Sequence, residues 1–491
     1  MLIPKTKKRM EIMKTMMAPS DVSSAVFDES SATDDGEPQG AKVLPIPVDD
    51  EPNLYRIPSS VYPTYRPLPF LLSLGSIMVS FWASAVQVFG RGLTWLTPFL
   101  ALKEKQWKTL IHFMARGILL ALTSQILFQE VLAPPSRLSI RELLQNYHLP
   151  SRLSRYEQVT TIGGGGVEKH STTGCVHYLE LKASPPPPTS SHPLDAIYVN
   201  HGFGASSLSW LPAIPKLLKK GRAKVVLGHD SPGFGFTDRP SNLEEYTLPE
   251  SAKLGAAILQ KHLDTNLNST KVALLGHSMG CATTLHMALQ LPQDATKYII
   301  LCAPALGLRD SSKTTTQGKT KSSTSIIQKS LQNIKSLLRR FWLVPTASYV
   351  LRRVVGLQNF WRNGLKAAWG DPEKLSASDV LRFQWPSIGK GWERGLLDFA
   401  SAQGMPSAMT DSELVERVLA QSTAAKILVI YGSKDRVVSP NSVRSFFEPY
   451  RSRLKLVEIE GSGHDPFEED TDRFVEIVEE ALLDWRKQNI P

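Results

Sequence analysis

The chain predicts an α/β fold whose strands empty into loops that carry reactive side chains, and four stretches carry that prediction. The apolar run Val272-Ala273-Leu274-Leu275 leads into Gly276-His277-Ser278-Met279-Gly280, and a helical segment follows from Cys281 to Leu291. The buried-strand run Lys426–Tyr431 empties into Gly432-Ser433-Lys434-Asp435, and the alternating run Leu454–Ile459 into Gly461-Ser462-Gly463-His464. Upstream, Ala196–Asn200 reads as a central strand ending in His201-Gly202-Phe203-Gly204. Each polar candidate thus stands just past the carboxyl end of a strand, where open α/β sheets place their chemistry.

These placements point to nucleophilic catalysis. A serine hydroxyl is a poor nucleophile unless a strained turn exposes it beside a base and oxyanion donors. A strand–turn–helix elbow with flanking glycines supplies that geometry. Ser278 is the candidate nucleophile, Asp435 the acid and His464 the base, in the chain order this arrangement requires. Backbone N–H groups of Phe203 and Met279 are the candidate oxyanion donors, while His201 is expected to brace its loop rather than titrate. Val225-Val226-Leu227 leading to Asp230-Ser231-Pro232-Gly233-Phe234-Gly235 is one more strand-to-loop exit.

In their order and spacing HGFGASSLSW, DSPGFGFTD, GHSMG, GSKD and GSGHDPFEE resemble the α/β-hydrolase superfamily. Within it they are similar to lidded hydrolases related to plant and algal plastid or membrane enzymes. The resemblance covers roughly Ala196 to Trp485, minus an insertion. It implies a mostly parallel eight-stranded sheet flanked by helices, with a lid between two core strands. Epoxide hydrolases and haloalkane dehalogenases share the fold but carry an Asp where Ser278 stands, so an acyl-enzyme route is implied. The fold itself says little about substrate.

Composition narrows the class. At 491 residues and 54.4 kDa the chain exceeds one ordinary domain, and 42% hydrophobic residues suffice for a large core. Cys175, Cys281 and Cys302 are too few and too unevenly spaced for a disulfide framework or a metal site, and Cys281 and Cys302 read as small core residues. The glycine run Gly163–Gly166 lacks the strand-to-helix setting of a phosphate cradle, so neither cofactor nor metal is expected. The net charge of +10 concentrates in one insertion and around an apolar region, which favours a membrane surface over nucleic acid.

The chain divides into a polar tail (1–66), hydrophobic helices (67–130), a linker with the first strands (131–195), the first part of the core (196–303), a helical lid (304–425) and the rest of the core (426–491). The tail, basic at its start and acidic in its middle, reads as disordered, without a secretory signal. Leu68 to Gly90 runs 23 residues without a charge, long enough to cross a bilayer, with Ser73, Ser76, Ser80 and Ser84 on one helical face. Leu110–Phe128 is a second apolar segment, with Arg116 in its middle. Attachment to a membrane, with plastid and endomembrane both open, is the expectation.

The lid has two parts. Arg309–Arg340 is rich in Ser, Thr and basic residues and merges into an amphipathic pattern, which reads as a solvated insertion or a membrane-surface contact. The remainder is helical and carries Trp342, Trp361, Trp369, Trp385 and Trp392. Most of these should pack the lid against the core, with one or two lining an apolar substrate tunnel. Asp371-Pro372 and the pair Thr410 with Glu413 mark helix starts. The whole predicts a membrane-associated serine hydrolase that cleaves a small apolar carboxylic ester, with membrane lipid as a partner. An acyltransferase using the same triad, and a ligand-binding receptor of this fold, are the alternatives.

Overall fold

The computed structural model describes residues 152–159, 174–188, 193–263, 270–293, 295–307, 344–405, 409–421 and 426–488, with a few helical positions between 112 and 140. The expected disordered tail, the stretch Leu68–Gly90, the basic stretch Arg309–Arg340 and Trp342 lie outside these residues.

Eight strands make one sheet: β1 (Ser154–Gln158), β2 (Cys175–Lys182), β3 (Ala196–Asn200), β4 (Val225–His229), β5 (Lys271–His277), β6 (Thr296–Cys302), β7 (Lys426–Gly432) and β8 (Leu454–Ile459). Their order is β1-β2-β4-β3-β5-β6-β7-β8. The β1–β2 and β2–β4 pairs are antiparallel, and every pair from β4 to β8 is parallel. Position in the sheet explains the two kinds of strand pattern in the sequence. β7 is interior and buried at every residue after Lys426, hence its continuous apolar run. β8 is an edge strand with only Ile459 fully buried, hence its alternation.

A backbone dihedral sets one strand boundary, and one helix lies a residue earlier than expected. β6 ends at Cys302 because Ala303 has φ +46°, outside the β region. The helix after Ser278 starts at Gly280 and stops at Gln290.

The core helices before the insertion are α1 (Ile214–Lys220), α2 (Leu248–His262) and α3 (Gly280–Gln290). Between β6 and β7 come α4 (Val344–Val355), α5 (Gln358–Ala368), α6 (Ala377–Gln384), α7 (Trp392–Gln403) and α8 (Asp411–Gln421). The expected capping box opens α8: the Thr410 N–H donates to Glu413 Oε2 at 2.6 Å, and the Glu413 N–H to Thr410 Oγ1 at 3.2 Å. After β7 follow α9 (Pro440–Phe447), α10 (Pro466–Glu469) and α11 (Thr471–Gln488).

The insertion has its own apolar cluster, in which Trp361, Trp369 and Trp392 pack with Val355, Leu365, Leu375 and Val380. Trp385 meets Phe236 of the core edge-on, with ring centroids 5.2 Å apart. The described tryptophans of the insertion therefore fill it and seat it on the core.

No described helix is long and apolar enough to cross a membrane. Of Leu110–Phe128 only His112, 114–120 and Thr123 are described; they are helical, and Met114, Ile118, Leu119 and Leu120 are exposed.

Candidate active site

β5 ends at His277 and α3 begins at Gly280, so Ser278 must turn the chain within two residues. It does so at φ +51°, a left-handed conformation that serine seldom adopts. The turn holds because Gly280 passes directly against the end of β3, the strand beside β5: a Cβ there would lie 2.5 Å from the carbonyl oxygens of Asn200 and His201. The Ser278 N–H is tied to the neighbouring strand end, donating to the Cys302 carbonyl at 2.9 Å.

The loops after β7 and β8 converge on this turn. His464 Nε2 is 3.0 Å from Ser278 Oγ, and His464 Nδ1 is 2.8 Å from Asp435 Oδ2. The other Asp435 oxygen accepts the N–H groups of Val437 and Val438, both at 2.8 Å, which fixes the carboxylate plane. The three side chains are nearly enclosed, at 8% (Ser278), 5% (Asp435) and 6% (His464) exposure. Burial alone would pull the His464 pKa down; the Asp435 hydrogen bond and the charges of Asp465, Asp435 and Glu469 outweigh it and raise the pKa.

Phe203 and Met279 meet beside the serine. Gly202 lies against the nucleophile, where a Cβ would come within 3.2 Å of Ser278 Cβ. Phe203 and Met279 line one cavity of about 370 Å³, with Leu248, Ala282, Ala305, Phe399, Ala400, Gln403 and Asp411. Its walls are mainly apolar and come from both the core and α7. Among the described residues no tryptophan lines it, and Phe203 and Phe399 supply its aromatic wall. His201 braces the loop as expected. Its Nδ1–H donates to the Gly202 carbonyl at 2.8 Å, and Nε2 accepts the Ser231 N–H at 3.0 Å. Burial lowers its pKa and keeps it neutral.

The sequence reading passed over three groups that matter here. Asp230, quoted only within a strand-to-loop exit, is a buried hub. Its Oδ1 accepts the Ser207 N–H (2.7 Å) and hydroxyl (2.6 Å), and its Oδ2 accepts the Phe236 N–H (2.7 Å) and His177 Nδ1–H (2.8 Å). His177 Nε2 reaches Ser154 Oγ at 2.8 Å, completing a second Ser–His–Asp chain. Burial would raise the Asp230 pKa, but His177 and the other donors hold it far below the carboxylate range. His277, the residue before the nucleophile, sends Nε2–H to the His464 carbonyl at 2.9 Å and lies 3.3 Å from Asp465 Oδ1. Apart from Phe236, six residues from Asp230, the partners of these groups are 23 to 188 residues distant in the chain, so no local motif marks them.

Residues 195–471 match the family defined by the α/β-hydrolase fold. The chain belongs to the α/β-hydrolase family. An uncharacterized protein of Mycobacterium tuberculosis is 27% identical over 291 residues, 58% of this chain and 75% of that protein. An uncharacterized hydrolase of Bacillus subtilis is 35% identical over 103 residues, 21% of this chain and 34% of that one. The crystal structure of an esterase from Rhodococcus superposes with a TM-score of 0.42 at 18% identity, over 67% of this chain and 98% of that one. Family membership and the relative named as a hydrolase support hydrolase activity for this α/β-hydrolase.

Proposed function

We propose that this α/β-hydrolase is a serine esterase that cleaves a carboxylic ester with an apolar acyl group through an acyl-enzyme. The observation that carries this reading is the Ser278–His464–Asp435 chain at 3.0 and 2.8 Å, built on a left-handed turn. Ser278 Oγ attacks the ester carbonyl while His464 Nε2 takes its proton. The N–H groups of Phe203 and Met279 stabilise the oxyanion, and Asp435 holds the imidazole tautomer and stabilises its charged form. Collapse of the intermediate expels the alcohol, protonated by His464. Water, deprotonated by the same nitrogen, then releases the acid and restores Ser278.

The cavity of about 370 Å³ beside Met279 supports an apolar acyl group of modest length, since its walls offer few polar partners. Membrane association belongs to the same proposal. Its support is the uncharged stretch Leu68–Gly90 and the exposed Met114, Ile118, Leu119 and Leu120. A fluorophosphonate probe should label the protein, and Ser278→Ala should abolish labelling; equal labelling of the variant would mean the nucleophile is another residue. Full-length protein should stay with membranes through carbonate extraction, and its release would limit attachment to the surface.

A further inference from the structure

The insertion and the loop bearing His464 are joined backbone to backbone. α5 ends at Ala368, whose carbonyl accepts the His464 N–H at 2.8 Å. Two residues on, the Gly370 N–H donates to Glu469 Oε2 at 2.7 Å. The same carboxylate accepts the Gly463 N–H on both oxygens, at 3.0 and 2.9 Å, and the Asp465 N–H on Oε1 at 3.0 Å. Glu469 thus grips the residues on either side of His464 together with the turn that leaves α5. The approach is close enough that a Cβ on Gly370 would lie 2.2 Å from the Gly461 carbonyl oxygen and 2.7 Å from the Gly463 nitrogen. A second tie runs from α6, where Arg382 Nη2 meets Glu468 Oε2 at 2.5 Å.

We propose that Glu469 is a positioning residue that couples seating of the insertion to placement of His464, so that the base aligns with Ser278 only while the Ala368–Gly370 turn is docked. This rests on the reading of His464 as the base. Hydrogen bonds from backbone N–H groups to a half-buried carboxylate are strong and directional, so the loop and the turn move as one body. A glutamine at 469 keeps the shape but replaces one acceptor oxygen with a donor. Because Oε1 serves Asp465, Oε2 serves Gly370 and Gly463 draws on both, the amide must give up either the Asp465 or the Gly370 bond and set a donor against that N–H, which loosens the grip. The docked insertion also supplies α7, and with it Phe399, to the cavity lined by Met279 and Phe203. Acyl-pocket assembly and base alignment therefore share one closing contact.

The charged groups facing His464 are Asp435 from the loop after β7, Asp465 from its own loop, Glu469 from the end of α10 and His277 from the elbow, while Arg382 of α6 faces Asp465 and Glu468. Glu469 is one of the charges that favour the imidazolium form, so its neutralisation lowers the pH at which His464 becomes an effective base.

The test compares full-length wild type, Glu469→Gln, Gly370→Ala and His464→Ala on a short p-nitrophenyl ester, with thermal melts as a folding control. In both latch variants kcat should fall about 10- to 100-fold with KM little changed, because a small misplacement of a catalytic group is felt in turnover. The acid limb of the pH profile should move to lower pH in Glu469→Gln and stay in place in Gly370→Ala. A Glu469→Gln enzyme within about twofold of wild-type kcat, with an unmoved limb, overturns the proposal. If Glu469→Gln does not fold, Gly370→Ala decides, and an unchanged kcat there overturns it equally. Activity surviving in His464→Ala would instead break the base assignment on which the proposal stands.

Discussion

Two Ser–His–Asp chains of nearly equal dimensions sit in this molecule, one at Ser278 and one at Ser154. In the first the serine–histidine and histidine–aspartate distances are 3.0 and 2.8 Å; in the second both are 2.8 Å. Distances alone would rank them alike. Ser154, however, opens β1 in extended backbone, and Ser154 and His177 are wholly buried. Asp230 is committed on both oxygens to three further donors from the loops after β3 and β4. Ser278 stands on a left-handed turn, has the Phe203 loop against it and is followed by Met279, which lines a cavity. The same three side chains are mortar in one place and a candidate machine in the other. Backbone geometry and access to a ligand make the difference.

Substitutions can break that comparison, and the largest expected contrast is at the serines. Ser278→Ala should lower kcat by at least about 10⁴-fold, the scale on which loss of a triad member is felt. Ser154→Ala should leave turnover per folded molecule near wild type and lower stability by about 1–3 kcal/mol, the cost of stranding a buried His177 nitrogen. A stable Ser154→Ala protein without activity would show that the second chain reaches the chemistry.

The aspartates sharpen the contrast. Asp435→Asn should retain the fold and lower kcat by about 10⁴-fold, because the imidazole tautomer is lost. Asp230→Asn should act on pH-dependent stability instead. With its folded pKa far below the unfolded value, Asp230 contributes stability above the unfolded carboxylate pKa of about 3.9, and loses it as pH falls toward the folded one. Denaturant midpoints of wild type should therefore drop more steeply below about pH 4 than those of Asp230→Asn. Parallel curves would place the loops' stability elsewhere. For wild-type kcat/KM, the raised His464 pKa puts the acid limb above about pH 6.5, with activity gained as pH rises through it. A limb below that value would mean that burial, not Asp435, controls the histidine.

Much of this was legible in the chain. Ala196–Asn200 and Leu454–Ile459 are strands at the expected bounds, because apolar content and alternation directly report burial on two faces or one. The Thr410–Glu413 box opens a helix because its chemistry is local. The elbow and the two acidic and basic loops were legible through their order, and the geometry brings Ser278, Asp435 and His464 together. What was not legible is non-local. Ser154 and His177 lie in segments that read only as a linker and first strands, and nothing near them announces Asp230. The cavity wall formed by Phe203 and Phe399 depends on where α7 lands, which a run of tryptophans in the same segment obscured. Glu469 reads as one acid among Glu468, Glu469 and Asp470 until the turn at Gly370 is set against it.

The left-handed backbone at Ser278 has a consequence for the resting protein. An L-residue held there forfeits about 1–2 kcal/mol whether or not substrate is present. Ser278→Gly and Ser278→Ala both delete the hydroxyl, yet only glycine relieves the dihedral, offset in part by its greater freedom when unfolded. Of two inert variants, the glycine one should melt higher. A chain freed from selection for turnover would gain stability by substituting the serine away. Its presence at that dihedral is thus a standing thermodynamic load, carried by the resting fold whether or not a substrate arrives.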